Sequence, residues 1–456
     1  MSSHPLSLTV LGGAHEIGAN SYHLDLGGAG LLLDAGMHPK LAGKLALPDL
    51  DAIPGEVDAL LISHAHLDHV GAIPVALQRF PAARLFMTAP TSLLSIRMLR
   101  NAVAVARNHR GNALYSHDHV EWVEQVVGTQ ELGRTMTLDT VGGQRPRITF
   151  LNAGHVLGAT GILVEHRGRR LFYTGDTCAS GQYICGPATY PQPPIDMLLM
   201  DSTHGADPDP DLGRDRRGFG RATTELGRFI AQVAARGGSV LIPVFALGRS
   251  QEILGLLHEL HRRGRIPQLP IFLSGLSHAI CRIYDATRRV SERRRASLRL
   301  EDLGYRVLDA ERARDPALLE RPSILAVSSG MVLPNTASNV LARRMLPDPR
   351  HGVAFVGFLD PDCPGFRIAQ AEQGTQVGLG PTPADGPTVE VACSVHRFGF
   401  TAHSRASQLV QMVRDLQPRR TLLVHGDSRA VQTLQDHIVQ AGFEVEVAEP
   451  GRSVQF

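Results

Sequence analysis

Four residues able to hold a divalent metal stand within six positions of one another: His64, His66, Asp68 and His69, in the run His64-Ala65-His66-Leu67-Asp68-His69. Imidazole nitrogen and carboxylate oxygen are donors that zinc accepts at about 2.0–2.2 Å. In a tight turn, the alternate side chains His64 and His66 would face one metal while Asp68 and His69 face another. A lone histidine is ordinarily a core or surface residue, but four donors at this spacing point to a metal site. More candidates follow apolar runs along the chain: Asp34, His155, Asp176, Asp201, His204 and His425. Loops at strand ends are where a rigid scaffold can bring distant side chains to one point.

The elements that must position them read as α/β. Short strands with Gly-rich turns are expected from Leu6 to Leu33, and a further apolar strand over 57–63 ends abruptly at His64. A helix is expected over 71–80, with Pro74 close enough to its start to be tolerated. Strands are predicted at 147–152, 163–165, 170–174 and 195–200. The composition turns to Asp, Pro, Gly and Arg around 206–220, which reads as a domain crossing. Helix and strand then alternate (223–236, 239–244, 250–263, 271–273), the pattern of a parallel sheet. A second soft stretch covers 378–386. A strand at 389–394, a helix at 404–416, a strand at 420–424 and a helix at 429–441 follow it.

Composition bounds the answer. At 456 residues, 43% hydrophobic and 20% charged, the chain is an ordinary globular protein expected to hold two domains. No apolar run is long enough to span a bilayer, and the first residues lack the charged-then-apolar pattern of a secretory signal. Five scattered cysteines with no C-x-x-C pair fit a reducing compartment, so a cytoplasmic location is expected and a cysteine zinc site is not. Lysine occurs only at Lys40 and Lys44, so almost all basic charge is arginine, crowded between Arg214 and Arg321. Arginine forks suit a phosphate-rich partner, although a solvated helix face has the same composition.

The run Leu61-Ile-Ser-His64-Ala-His66-Leu-Asp68-His69-Val-Gly-Ala-Ile-Pro74 resembles the signature of the metallo-β-lactamase superfamily. Its other members follow in order: Asp34, His155 in Asn-Ala-Gly-His-Val-Leu-Gly, and Asp176 in Tyr-Thr-Gly-Asp-Thr. Asp201 in Asp-Ser-Thr-His, His403 in Phe-Thr-Ala-His-Ser and His425 in Leu-Val-His-Gly-Asp narrow the resemblance to the β-CASP nucleases. Pro243-Val-Phe-Ala-Leu-Gly-Arg249-Ser-Gln-Glu252 and Ser328-Ser-Gly-Met331 support it. The resemblance implies an αββα four-layer sandwich built from residues 1–207 and 396–456, with a β-CASP α/β domain, 208–395, inserted so as to cap a metal cleft.

The resemblance also implies residue roles. One zinc would be held by His64, His66, His155 and Asp176, and a second by Asp68, His69 and His425, with Asp176 bridging. Two such ions about 3.5–4 Å apart bind a phosphate and lower the pKa of a shared water towards 7. Manganese or another divalent ion could replace zinc. Asp34 would orient ligands or the water. His403 would be the general acid, held oriented and charged by Asp201, with a plain phosphate-binding cation as the rival role. Arg249 and Arg367 are candidate substrate-phosphate contacts, His204 could approach the site, and Cys178 reads as packing.

The implied function is a zinc-dependent ribonuclease acting on single-stranded RNA, endonucleolytic, with 5′-exonuclease activity as a further mode. DNA is the rival polymer. A small-molecule hydrolase and a non-catalytic scaffold are more distant alternatives, and homodimerisation is left open. The N-terminal Gly-Gly-Ala-His15-Glu16-Ile-Gly18-Ala-Asn20 is closer to the RNase J group. The surroundings of His155 and His403 are closer to the polyadenylation endonucleases. The loop from Gly357 to Arg367 departs from both.

Overall fold

The computed structural model describes residues 6–108, 113–207 and 220–456. Most of the expected domain crossing at 206–220, and Arg214, lie outside these residues. The chain divides into two compact units: Met1–Asp209 with Arg289–Arg293 and Ala402–Phe456, and Pro210–Arg288 with Arg294–Thr401.

The first unit contains two seven-stranded sheets. One runs in the order Ser453–Gln455, Ser7–Gly12, Ser21–Asp25, Gly30–Leu33, Ala59–Leu61, Arg84–Met87, Val127–Thr129. The other runs Val445–Val447, Pro418–Val424, Ile195–Asp201, Arg169–Tyr173, Thr160–His166, Arg147–Asn152, Thr135–Thr137. Their central strands are continuous apolar runs because both faces are buried, and the two-residue period of a strand sorts side chains between two cores. Leu31, Leu33, Leu61, Tyr173, Leu199 and Val424 enter the core between the sheets. Leu32 and Leu60 face outward onto the helices Ile73–Arg79, Ala89–Asn108 and His117–Val126. Phe172, Leu198 and Leu423 face the helices Ala406–Leu416 and Ser428–Gln440. Helix, sheet, sheet, helix is the four-layer α/β arrangement expected.

Strand direction then decides where the chemistry collects. Gly30–Leu33 and Ala59–Leu61 are parallel neighbours, so Asp34 and His64 leave the same sheet edge. Arg169–Tyr173, Ile195–Asp201 and Pro418–Val424 are also mutually parallel, so Asp176, Asp201 and His425 emerge together. Arg147–Asn152 is two antiparallel steps from Arg169–Tyr173 and delivers His155 to that same edge.

The second unit has a six-stranded sheet whose neighbouring strands are all parallel: Arg306–Leu308, Ile271–Ser274, Ile324–Val327, Val240–Pro243, Gly352–Phe355, Ser394–Arg397. Arg221–Ala235, Arg249–Arg262, Gly275–Ala286 and Ala337–Met345 are among its helices.

Three local expectations change. The helix expected from Gly71 is two short helices, Leu67–Val70 and Ile73–Arg79, so Asp68 and His69 sit in a first helical turn. The strand expected over 389–394 is two strands: Thr388–Glu390 pairs with Gln376–Gly378, and Ser394–Arg397 joins the six-stranded sheet. That pairing keeps Ser394–Arg397 in the second unit, and the first unit resumes at Ala402 rather than 396.

Gly36 marks the tightest approach beside the helix Leu67–Val70. A Cβ there would stand 1.7 Å from the Asp68 carbonyl oxygen, while the Gly36 amide donates to the Asn20 carbonyl at 3.0 Å. Gly36→Ala is therefore expected to destabilise the first unit by about 3 kcal/mol or more. Calorimetry of the variant reads this, and an unchanged melting profile would contradict the approach described.

Candidate metal centre

Asp34 and His425 leave their strands with left-handed backbones, at φ 59° and 54°. Such strain in non-glycine residues persists only where surrounding structure fixes it. Asp34 is fixed by its carboxylate. Oδ1 accepts from the Ser63 amide (2.7 Å), and Oδ2 accepts from Ser63 Oγ (2.6 Å), Tyr173 Oη (2.7 Å) and His69 Nδ1 (2.8 Å). Burial, with Asp34 beside it, holds Tyr173 well above the usual tyrosine range, so its hydroxyl stays a donor.

These bonds settle which ring nitrogens carry protons. His69 donates Nδ1–H to Asp34 and turns Nε2 towards Asp176. Ser63 Oγ donates to Asp34, so it accepts from His64 Nδ1 (3.1 Å), leaving His64 Nε2 as a lone pair. His155 Nδ1 donates to the Ala402 carbonyl (3.0 Å) and likewise leaves Nε2 bare. His66 Nδ1 lies 3.1 Å from His64 Nε2 and 3.0 Å from His155 Nε2. One proton can serve only one of these contacts, whereas a cation between them serves all.

Asp176 joins the two donor groups. Its Oδ2 is 3.5 Å from both His64 Nε2 and His155 Nε2. Its Oδ1 is 3.2 Å from both His69 Nε2 and His425 Nδ1. Although buried, Oδ1 makes no hydrogen bond among the described residues. Asp68 Oδ2 completes the second group, 3.3 Å from His425 Nε2 and 3.8 Å from His69 Nε2. The atoms of His64, His66, His155 and Asp176 all lie within 4.8 Å of one another, as do those of Asp68, His69 and His425. The donor chemistry and the unsatisfied buried carboxylate both fit divalent cations.

Electrostatics divides the imidazoles. Burial and the neighbouring His69 push His64 well below the usual histidine range, and burial with His403 does the same to His155. Burial also opposes charge on His69 and His425, but the surrounding carboxylates together outweigh it: Asp176, Asp68 and Asp34 raise His69 strongly, and Asp176, Asp201 and Asp68 raise His425 to about 10. Protons and cations therefore compete for this second group.

Beside the two groups stands a His–Asp pair. His403 Nδ1 is 2.9 Å from Asp201 Oδ2, and its Nε2 is 4.0 Å from Asp176 Oδ2. Burial lowers His403, but the Asp201 contact overrides it and holds its pKa above the ordinary value. Asp201 Oδ1 accepts from the Thr203 amide (2.8 Å) and hydroxyl (2.6 Å), and Thr203 Oγ1 is also 2.9 Å from His425 Nδ1.

The structure brings Asp34, His64, His66, Asp68, His69, His155, Asp176, Asp201, His403 and His425 together. His204 joins them, its ring 5.2 Å from that of His403. Cys178 is buried. Arg249 opens the helix Arg249–Arg262 in the second unit. In the same unit, Arg367 donates to the carbonyls of Asp362 (2.9 Å), Gly378 (3.1 Å) and Gly380 (2.5 Å), and so fastens its own loop. Ser63, Tyr173 and Thr203 carry much of the hydrogen bonding and are not singled out by motif. A search for partners to the charged residues finds Ser63 and Thr203, and strand alternation finds Tyr173.

The chain matches three family descriptions: metallo-beta-lactamase superfamily over residues 16–87, Beta-Casp domain over 250–368, and Zn-dependent metallo-hydrolase RNA specificity domain over 388–448. It is 29% identical to endoribonuclease ysh1 of Emericella nidulans, over 98% of this chain and 53% of that protein. It is 30% identical to endoribonuclease YSH1 of Gibberella zeae, over 96% and 55%. With cleavage and polyadenylation specificity factor 73 of Drosophila melanogaster the identity is 29%, over 94% and 61%. The chain thus spans between half and two thirds of the length of these curated relatives. A crystal structure of a protein of unknown function from Enterococcus faecalis V583 shares the fold at TM-score 0.58 and 13% identity, covering 99% of this chain and all of that one.

Because Asp34 depends on Ser63 and Tyr173 to orient His69, Ser63→Ala and Tyr173→Phe should each weaken divalent-metal binding about 10–100-fold. Competition against a chromophoric chelator measures this. Unchanged affinity in both variants would remove the orienting role.

Proposed function

We propose, from the premise that this chain belongs to the metallo-β-lactamase superfamily and within it to the β-CASP nucleases, that it hydrolyses internal phosphodiester bonds of single-stranded RNA with two zinc ions. One observation carries the reading: the buried Asp176 carboxylate turns one oxygen to His64 and His155 and the other to His69 and His425, with the His403–Asp201 pair alongside. A simple hydrolase does not need that third cluster. The RNA specificity match over 388–448 and the names of the relatives support RNA as the polymer.

His64, His66, His155 and Asp176 would hold one ion, and Asp68, His69, His425 and Asp176 the other. When bound, the ions supply Lewis acidity towards phosphate and acidify water near neutral pH. The remaining chemistry belongs to side chains. Asp34 holds the His69 ring and fixes its tautomer. Asp201, itself braced by Thr203, holds His403 Nδ1 so that Nε2 faces the reacting phosphate and donates a proton to the leaving oxygen. The division into domains belongs to this reading as well, with the second unit as the inserted β-CASP domain and Arg249, within it, as a candidate phosphate contact. The location is taken as cytoplasmic.

Elemental analysis is expected to give two zinc ions per chain; one ion or none would refute the two-ion arrangement. His403→Ala should lower RNA cleavage about 100-fold or more with zinc content unchanged, and full retained activity would refute the proposed acid. Because Asp201 raises the pKa of His403, the acid is present at low pH and lost as pH rises through that value. Asp201→Asn should therefore move the alkaline limb of kcat to lower pH, and an unmoved limb would assign that limb elsewhere. Digestion of end-labelled 5′-monophosphate and 5′-triphosphate RNAs then separates internal cutting, which ignores the end, from 5′-dependent cutting.

A further inference from the structure

His204 lies three residues beyond Asp201, and its ring stacks at a tilt of 43° against His403, centroids 5.2 Å apart. It is also one half of a second His–Asp pair, because His204 Nδ1 is hydrogen-bonded to Asp207 Oδ2. A carboxylate only accepts, so the proton of that bond sits on Nδ1 and His204 Nε2 presents a lone pair. Among the described residues Nε2 makes no hydrogen bond. Burial lowers the pKa of His204 and the neighbouring His403 lowers it further, against the pull of Asp207. The site therefore holds two adjacent imidazoles of opposite character. His403 is a proton donor, and His204 is a fixed hydrogen-bond acceptor.

An acceptor repels phosphate oxygens and suits a hydroxyl. In a phosphodiester strand, the hydroxyl next to a departing O3′ is the 2′-hydroxyl of the same ribose. We propose that His204 accepts a hydrogen bond from the 2′-hydroxyl of the ribose whose 3′ oxygen leaves, and is thereby the residue with which the site distinguishes RNA from DNA. The inference rests on the phosphodiesterase reading above. Water adds to phosphorus and loses a proton to solvent. The P–O3′ bond breaks with its electron pair going to O3′, and His403 Nε2 protonates O3′, giving a 3′-hydroxyl and a 5′-phosphate. Asp207 acts through His204 as a positioning residue that fixes the tautomer.

The test uses the zinc-loaded full chain and a short oligoribonucleotide whose cut position has been mapped. Two further strands carry, at the nucleotide on the 5′ side of that cut, a single 2′-deoxy or a single 2′-O-methyl sugar. Wild type is expected to cut each modified linkage about tenfold or more slowly than the all-ribose one, since either change removes the hydroxyl donor. His204→Phe keeps a ring against His403 but has no acceptor. It should cut ribose and deoxyribose linkages at nearly equal rates, through loss on the ribose strand alone. His204→Gln offers an amide oxygen in place of Nε2 and should recover part of the preference. Zinc content and the alkaline limb of kcat should match wild type in both variants, which a merely structural loss at His403 would not allow.

A His204→Phe enzyme that keeps the full ribose preference, or slows equally on both strands, overturns the assignment while leaving the ribonuclease reading intact. Product ends other than 3′-hydroxyl and 5′-phosphate also overturn it. Failure of the zinc-loaded wild type to cut any strand overturns the ribonuclease reading and this inference with it.

Discussion

A carboxylate buried among imidazole nitrogens, with one oxygen that makes no hydrogen bond, is a charge that must be balanced from within its site. That is the position of Asp176: each oxygen faces two ring nitrogens, and Oδ1 makes no hydrogen bond among the described residues. Burying such a charge uncompensated costs several kcal/mol. Protonating the surrounding rings relieves the cost only by leaving cations equally buried. Divalent ions remove both problems at once, because they take the carboxylate and the imidazole lone pairs together. The rest of the first unit can be understood as what is needed to hold that carboxylate and those rings in register.

Holding them in register falls to groups that never touch a metal. Asp34 gathers four donors and passes their rigidity to His69. The Ala402 carbonyl fixes His155, and Thr203 links Asp201 to His425. Each bond selects a tautomer as well as an orientation, so the donor atoms presented to the centre are decided one shell away. The left-handed backbones at Asp34 and His425 belong to the same economy of position. A residue that must turn sharply off a buried strand to reach the centre tolerates strain when its side chain is held from several directions.

The run at 64–69 was visible in the sequence because a surface rarely clusters such chemistry so tightly, Asp34, His155, Asp176, Asp201 and His425 because each follows an apolar run, and His403 through the motif that resembles the β-CASP nucleases. The layer order was visible for a related reason: strands buried on both faces read as unbroken apolar runs. What stayed hidden was the hydrogen-bonding layer and much of the connecting structure. Ser63, Thr203 and Tyr173 are common residue types, and their importance appears only when distant strands are brought side by side. The helices Ala89–Asn108 and His117–Val126 lie between motifs and mark no chemistry of their own. The stretch 389–394 misled because one short apolar run serves two sheets, a pairing choice made by tertiary neighbours.

The order of these residues along the chain has a consequence for how the protein is made. Asp34, the 64–69 run, His155, Asp176 and Asp201 all precede the second unit, whereas His403 and His425 follow it. A nascent chain emerging from the ribosome therefore carries all of the first donor group, including Asp176, long before it carries His403 or His425. The complete set of side chains is thus confined to molecules that have been translated through both units, a condition written into linear order.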